Sequence, residues 1–188
     1  MAVDPADIER LGLKVDAWMG LEAALREDVL GVLDLLDAQP DNQAVRRALV
    51  RSLWGFVEGS VYGMRSFLRT AHILSSTGGE EELPDRERTI DRVKKVLKMA
   101  AKDMARWEAD FGTEGWEALR ANLKVRDRLM HPKSASDVQI SDGEVDEARD
   151  AATWLLETIV QIQSRAAARG ERRPARGDTT ALRRATRR

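Results

Sequence analysis

Apolar residues recur at intervals of three and four along five stretches of this chain. Nowhere do they alternate with period two over enough residues to build a sheet, which restricts the chain to packed helices. The longest stretch covers residues 43–75 and aligns Leu49, Leu53, Phe56, Val57, Ser60, Met64, Phe67, Leu68 and Ala71 on one stripe. Unbroken, it spans roughly 50 Å. Pro40-Asp41-Asn42 stops the preceding helix, and the Asn42 side chain is placed to cap this one. Ser75-Ser76-Thr77-Gly78-Gly79 ends it. The other predicted helices cover 5–37, 86–110, 114–130 and 142–168. Pro132 closes the fourth, because the residue before a proline disfavours the α region. Ser141 and Glu144 form a capping box for the fifth. The spacing therefore predicts an all-α, five-helix up-and-down bundle over residues 1–168, followed by a tail over 169–188.

Charge separates these two parts. Eight arginines from Arg169 onward, against Glu171 and Asp178, give the last segment +6 and leave −7 on the body. The tail holds almost no large apolar residue, so it lacks the burial that offsets ordering entropy. Arg172, Arg173, Arg183 and Arg184 suit contact with a phosphate backbone. The alternatives are a solubilising extension or an intramolecular partner for the acidic body. The chain has no cysteine, which removes disulfides, thiolate nucleophiles and Cys-based zinc sites. Its two histidines, His72 and His131, make no metal site by themselves, and no cofactor motif is present. His72 borders the apolar stripe and reads as structural. No apolar run approaches the roughly 18 residues that cross a bilayer. The first residues carry no signal-peptide pattern, so a cytoplasmic location is expected. The five tryptophans, Trp18, Trp54, Trp107, Trp116 and Trp154, fall one to each predicted helix, as core packing requires.

Two features need an account beyond the apolar pattern. Gly55, Gly59 and Gly63 lie at i, i+4 and i+8 inside the second helix. Each interior glycine costs about 1 kcal/mol relative to alanine. Close intramolecular packing is the first reading, with a subunit contact or a kink as alternatives. The second feature is Val125-Arg126-Asp127-Arg128-Leu129-Met130-His131-Pro132-Lys133. On a wheel of the fourth helix, the stripe of Trp116, Leu119, Leu123 and Met130 leaves Arg126 on one flank, with Asp127 and His131 on the other. Arg126 and His131 are about 140° apart around the axis. Unwinding before Pro132, or antiparallel pairing with a second copy, brings them together. The second route makes a twofold cleft with two arginines and two histidines. Asp127, four residues before His131, is within reach of its ring, while Val125 and Leu129 offer apolar surface to a partner. Histidine changes charge between roughly pH 5 and 8, so His131 can both take and give a proton. Glu58 shares a polar face of the second helix with Arg51, Tyr62, Arg65 and Arg69. That face either lines the cleft, Glu58 holding Arg126, or is solvated with helical ion pairs.

The run Arg126-Asp127-Arg128-Leu129-Met130-His131-Pro132 resembles the Arg-(Asn/Asp/His)-x3-His signature of the HEPN superfamily of small helical ribonucleases and RNA-binding domains. Its place, at the end of a helix before the last one, matches as well. The resemblance implies metal-independent RNA cleavage at a homodimer cleft. By it, His131 is the general acid/base for attack of the ribose 2′-hydroxyl, Arg126 steadies the phosphate and Asp127 orients the pair. Arg128 and Lys133 become candidate RNA contacts, and Glu58 and Tyr62 candidate support. A toxin or phage-defence role is implied, with an antitoxin or defence-complex protein as partner. One subgroup of the family carries a tyrosine two residues after the histidine, which a partner nucleotidyltransferase modifies. Lys133 stands there in this chain, so that form of neutralisation is not implied. The alternative is a non-catalytic HEPN-like subunit that dimerises, or binds RNA or a protein partner, through the same face.

Overall fold

The computed structural model describes residues 5–75 and 88–171, and these form an all-α bundle of five helices with no strand. The helices are α1 (Pro5–Ala38), α2 (Gln43–Ser75), α3 (Thr89–Ala105), α4 (Glu114–Met130) and α5 (Asp142–Glu171). A single 3-10 turn, Ala135–Val138, lies between α4 and α5. Among the described residues no helix is long and apolar enough to cross a membrane.

The apolar stripe of α2 is the centre of the core. Leu49, Leu53, Phe56, Val57, Met64 and Leu68 are fully buried. α1 packs antiparallel on α2, and two of the three glycines make that approach possible. A Cβ at Gly59 would lie 2.3 Å from Leu25 Cδ1, and one at Gly63 would lie 1.8 Å from Trp18 Cδ1. A larger residue would have to turn the Leu25 methyl aside at Gly59 and displace the buried Trp18 ring at Gly63, so close packing accounts for both. Gly55 differs, for no atom lies within 4 Å of its missing Cβ. α4 and α5 form a second antiparallel pair, in which Gly115 admits the Trp154 side chain. α5 also runs antiparallel to α1, linked by an ion pair from Arg149 to Asp37 and by Gln163 Nε2 donating to Glu22 Oε2 at 3.2 Å.

The corner between α1 and α2 is built as its residues require. Asn42 Oδ1 accepts the Ala44 and Val45 N–H groups at 3.0 and 3.4 Å, which satisfies two free donors at the start of α2. The box at the start of α5 is also in place, with Ser141 N–H donating to Glu144 Oε2 and Glu144 N–H to Ser141 Oγ.

Three expectations need correction. α3 ends at Ala105, five residues before the predicted stop, because Arg106 adopts a left-handed conformation with φ 48°. The Arg106 and Trp107 N–H groups then fold back to the Lys102 and Ala101 carbonyls. Trp107 therefore follows α3, where Arg165 lies over its ring. α5 continues to Glu171, three residues past its predicted end. The third correction concerns α4, whose buried face is Trp116, Leu119, Asn122, Val125 and Leu129. Asn122 is polar yet fully buried, and Asn122, Val125 and Leu129 in place of Leu123 and Met130 turn the inward face by about 70° from the predicted stripe. Val125 and Leu129 are core residues, not surface for a partner, and Met130 is 54% exposed. The tail arginines Arg172, Arg173, Arg183 and Arg184 lie outside the described residues, as does the His72 side chain.

Candidate functional site

The turned face of α4 changes where its charged residues point. Arg126 now lies close to the inward direction and is brought against α2. There Val50, Arg51, Trp54, Gly55 and Glu58 meet Arg126, Leu129 and Met130 around an open groove of about 190 Å³. Trp54 is buried beneath it, its indole N–H donating to Asn122 Oδ1 at 3.0 Å. The Arg126 guanidinium sits 5.9 Å above the Trp54 ring, within reach of the ring's negative face. Its Nη2 donates to Glu58 Oε1 at 2.7 Å and its Nη1 to Asp127 Oδ1 at 2.9 Å. Only 28% of the Arg126 side chain is exposed, so these partners replace much of its water. Glu58 is 47% exposed, and the pair is worth no more than about 1 kcal/mol after solvent screening. Arg126, Glu58 and Asp127 are therefore one cluster on a tryptophan floor.

His131 stands apart from it. It caps the C-terminus of α4, with its backbone N–H on the Asp127 carbonyl at 3.1 Å. Its side chain is exposed and makes no hydrogen bond or ion pair with another described residue. The Asp127 carboxylate is turned to Arg126, so the expected Asp127–His131 ring contact is replaced by the backbone bond. Within one chain the structure does not join Arg126 to His131. It puts them on neighbouring parts of one helix end, His131 one residue beyond the groove-lining Met130.

The chain beyond His131 is held firmly. Asp137 Oδ2 accepts the Lys133 N–H at 2.7 Å and the Ser134 N–H at 2.9 Å. These bonds, the Lys133 one foremost, keep the Asp137 carboxyl below its usual range. Gln43 pairs with the Ile140 backbone in both directions. Arg46, with 9% of its side chain exposed, donates to the Pro40 and Ile140 carbonyls and pairs with Asp142 at 2.7 Å. Arg47 reaches the Val138 carbonyl. From the other side Arg128 Nη2 bonds the Gln139 carbonyl at 3.0 Å and Glu144 Oε1 at 2.9 Å. Burial pushes the Glu144 carboxyl up, but bonds from Ser141 and Arg128 outweigh it, and the net shift is downward.

These contacts sort the remaining candidates. Arg128 turns back onto α5 and serves the loop. The Lys133 side chain is exposed, with no described partner. Tyr62 is exposed on α2 and does not line the groove. Arg51 lines its rim, exposed and with no described ion pair. Among the described residues no three metal-ligating side chains gather. The residue pattern does not disclose the hub at Arg46 and Gln43 or the buried Asn122–Trp54 pair. Asn122 carried a faint signal, a polar residue three positions from Leu119 and Val125 on a helix face that is otherwise apolar. No protein-family model, curated protein or solved structure matches the chain.

Proposed function

We propose that this protein is a homodimeric, metal-independent endoribonuclease of HEPN type, a toxin or phage-defence effector, with Arg126 and His131 as its working pair. The observation that carries this reading is the anchoring of Arg126. A partly buried guanidinium, fixed by Glu58, Asp127 and Trp54 beside an open groove, sits on the helix whose end presents an exposed imidazole. Two such helix ends facing each other supply both imidazoles that the chemistry needs. One His131 takes the proton of the ribose 2′-hydroxyl as that oxygen bonds to phosphorus. The bond from phosphorus to the 5′-oxygen breaks, and the second copy's His131 gives that oxygen its proton. The products are a 2′,3′-cyclic phosphate and a 5′-hydroxyl, with no metal or redox partner in the balance. Arg126 stabilises charge on the phosphate oxygens. Asp127 and Glu58 hold the guanidinium in place.

A second reading is favoured by the same cluster. Two carboxylates already meet the Arg126 charge, which suits a HEPN-like subunit that binds a partner or RNA without cutting it. The test is RNA incubated with the protein in EDTA. Cleavage that is lost in His131→Ala supports the enzyme. Equal cleavage by both proteins, or none by either, supports the binding subunit.

A further inference from the structure

We infer that the groove between α2 and α4 seats one unpaired base of a single-stranded RNA, and that Gly55 keeps the seat open; this rests on the RNA-directed reading above. The three glycines of α2 do not share one explanation. Gly59 and Gly63 are filled by Leu25 and Trp18, whereas nothing lies within 4 Å of the Gly55 Cβ position. Gly55 lines the groove, so a side chain there would enter the open space. The destabilising glycine thus coincides with a cavity that no part of the described chain uses.

The lining fits a flat ring with a charged neighbour. Val50, Gly55, Leu129 and Met130 give apolar surface. Trp54 lines the groove as well, and the Arg126 guanidinium, held by Glu58 and Asp127, lies over its ring 5.9 Å from the centroid. An aromatic and apolar wall beside a fixed cation is a lining that takes a splayed base. Arg51 at the rim supplies a cation for the adjoining phosphate. The volume of about 190 Å³ is below the roughly 300–1,000 Å³ of sites that enclose a whole small molecule. It takes one ring and leaves the rest of the strand outside. An RNA duplex keeps its bases stacked and paired, so the occupant comes from a single strand.

The test uses the full chain carrying His131→Ala, so that RNA stays intact. Affinities are measured for a single-stranded ten-nucleotide RNA and for a strand of equal length without bases. The base-bearing strand binds about tenfold tighter, as stacking of one base gives. Gly55→Leu brings that ratio close to one and leaves affinity for the abasic strand unchanged; Gly55→Ala lies between. Gly55→Ala melts no lower than the parent, because the added Cβ meets no atom within 4 Å, and circular dichroism confirms that Gly55→Leu is folded. A ratio of one in the parent, a ratio unaffected by Gly55→Leu, or equal loss for both strands overturns the seat while the RNA reading stands. Failure of the parent to bind either strand overturns both.

Discussion

Alanine placed at Gly55 and at Gly63 should change stability in opposite directions, although the sites lie two turns apart on one helix. Both substitutions gain about 1 kcal/mol of helix propensity. At Gly55 nothing opposes the gain, since the new Cβ meets no atom within 4 Å. At Gly63 the Cβ would stand 1.8 Å from Trp18 Cδ1 and 2.5 Å from Nε1. Trp18 is buried, so its ring has no free direction in which to yield. Overpacking costs about 1–3 kcal/mol, and a clash this close belongs at the upper end. Subtracting the propensity gain leaves a net loss of about 2 kcal/mol. For a domain of this size 1 kcal/mol moves Tm by about 2–4 °C. Gly55→Ala should therefore melt about 2–4 °C higher than the parent and Gly63→Ala about 4–8 °C lower. Thermal unfolding followed by circular dichroism checks both values. Stabilisation by both variants would show that α1 does not press on α2 at Gly63. Destabilisation by Gly55→Ala would show that the groove is filled, and the reasoning about its glycine would fail.

Other perturbations test separate parts of the structure. Arg46→Ala removes the donor shared by the Pro40 and Ile140 carbonyls and the partner of Asp142; a loss of about 3 kcal/mol in urea unfolding is expected, and less than 1 would contradict the hub. Asp137 and Glu144 have carboxyl pKa values lowered by folding. Their contribution is present above the unfolded values of 3.8 and 4.5 and is lost as pH falls through the lower folded ones. Glu144→Gln should flatten the acid limb of a stability–pH curve, and an unchanged limb would refute the assignment. Removing residues 170–188 should weaken RNA affinity and reduce its salt dependence, whereas an unchanged salt slope would remove the tail from the interface.

Local chemistry was legible in the residues themselves. Asn42, Pro132 and the Ser141–Glu144 box each act on neighbours within four positions, and α2 begins, α4 ends and α5 begins where these signals place them. What escaped notice depends on distant partners. Nothing near Arg106 announces a left-handed cap, since it is no glycine and the apolar pattern continues through Trp107 and Phe111. Asn122 reads as surface until Trp54 is beside it, 68 positions away. The predicted stripe of α4 leaves out Val125 and Leu129 along with Asn122, and Arg126 faces further inward than that stripe implies. Spacing alone puts the Asp127 carboxylate within reach of the His131 ring, whereas the guanidinium next to it in sequence takes the bond.

The central claim is that the His131 imidazoles of two copies serve a single pocket. His131→Ala chains mixed in large excess with the parent and allowed to exchange subunits should abolish its metal-free RNA cleavage, because a mixed dimer holds one imidazole where the proton transfers need two. A mixture in which subunits have exchanged yet which cuts RNA in proportion to the parent chain present would contradict the account.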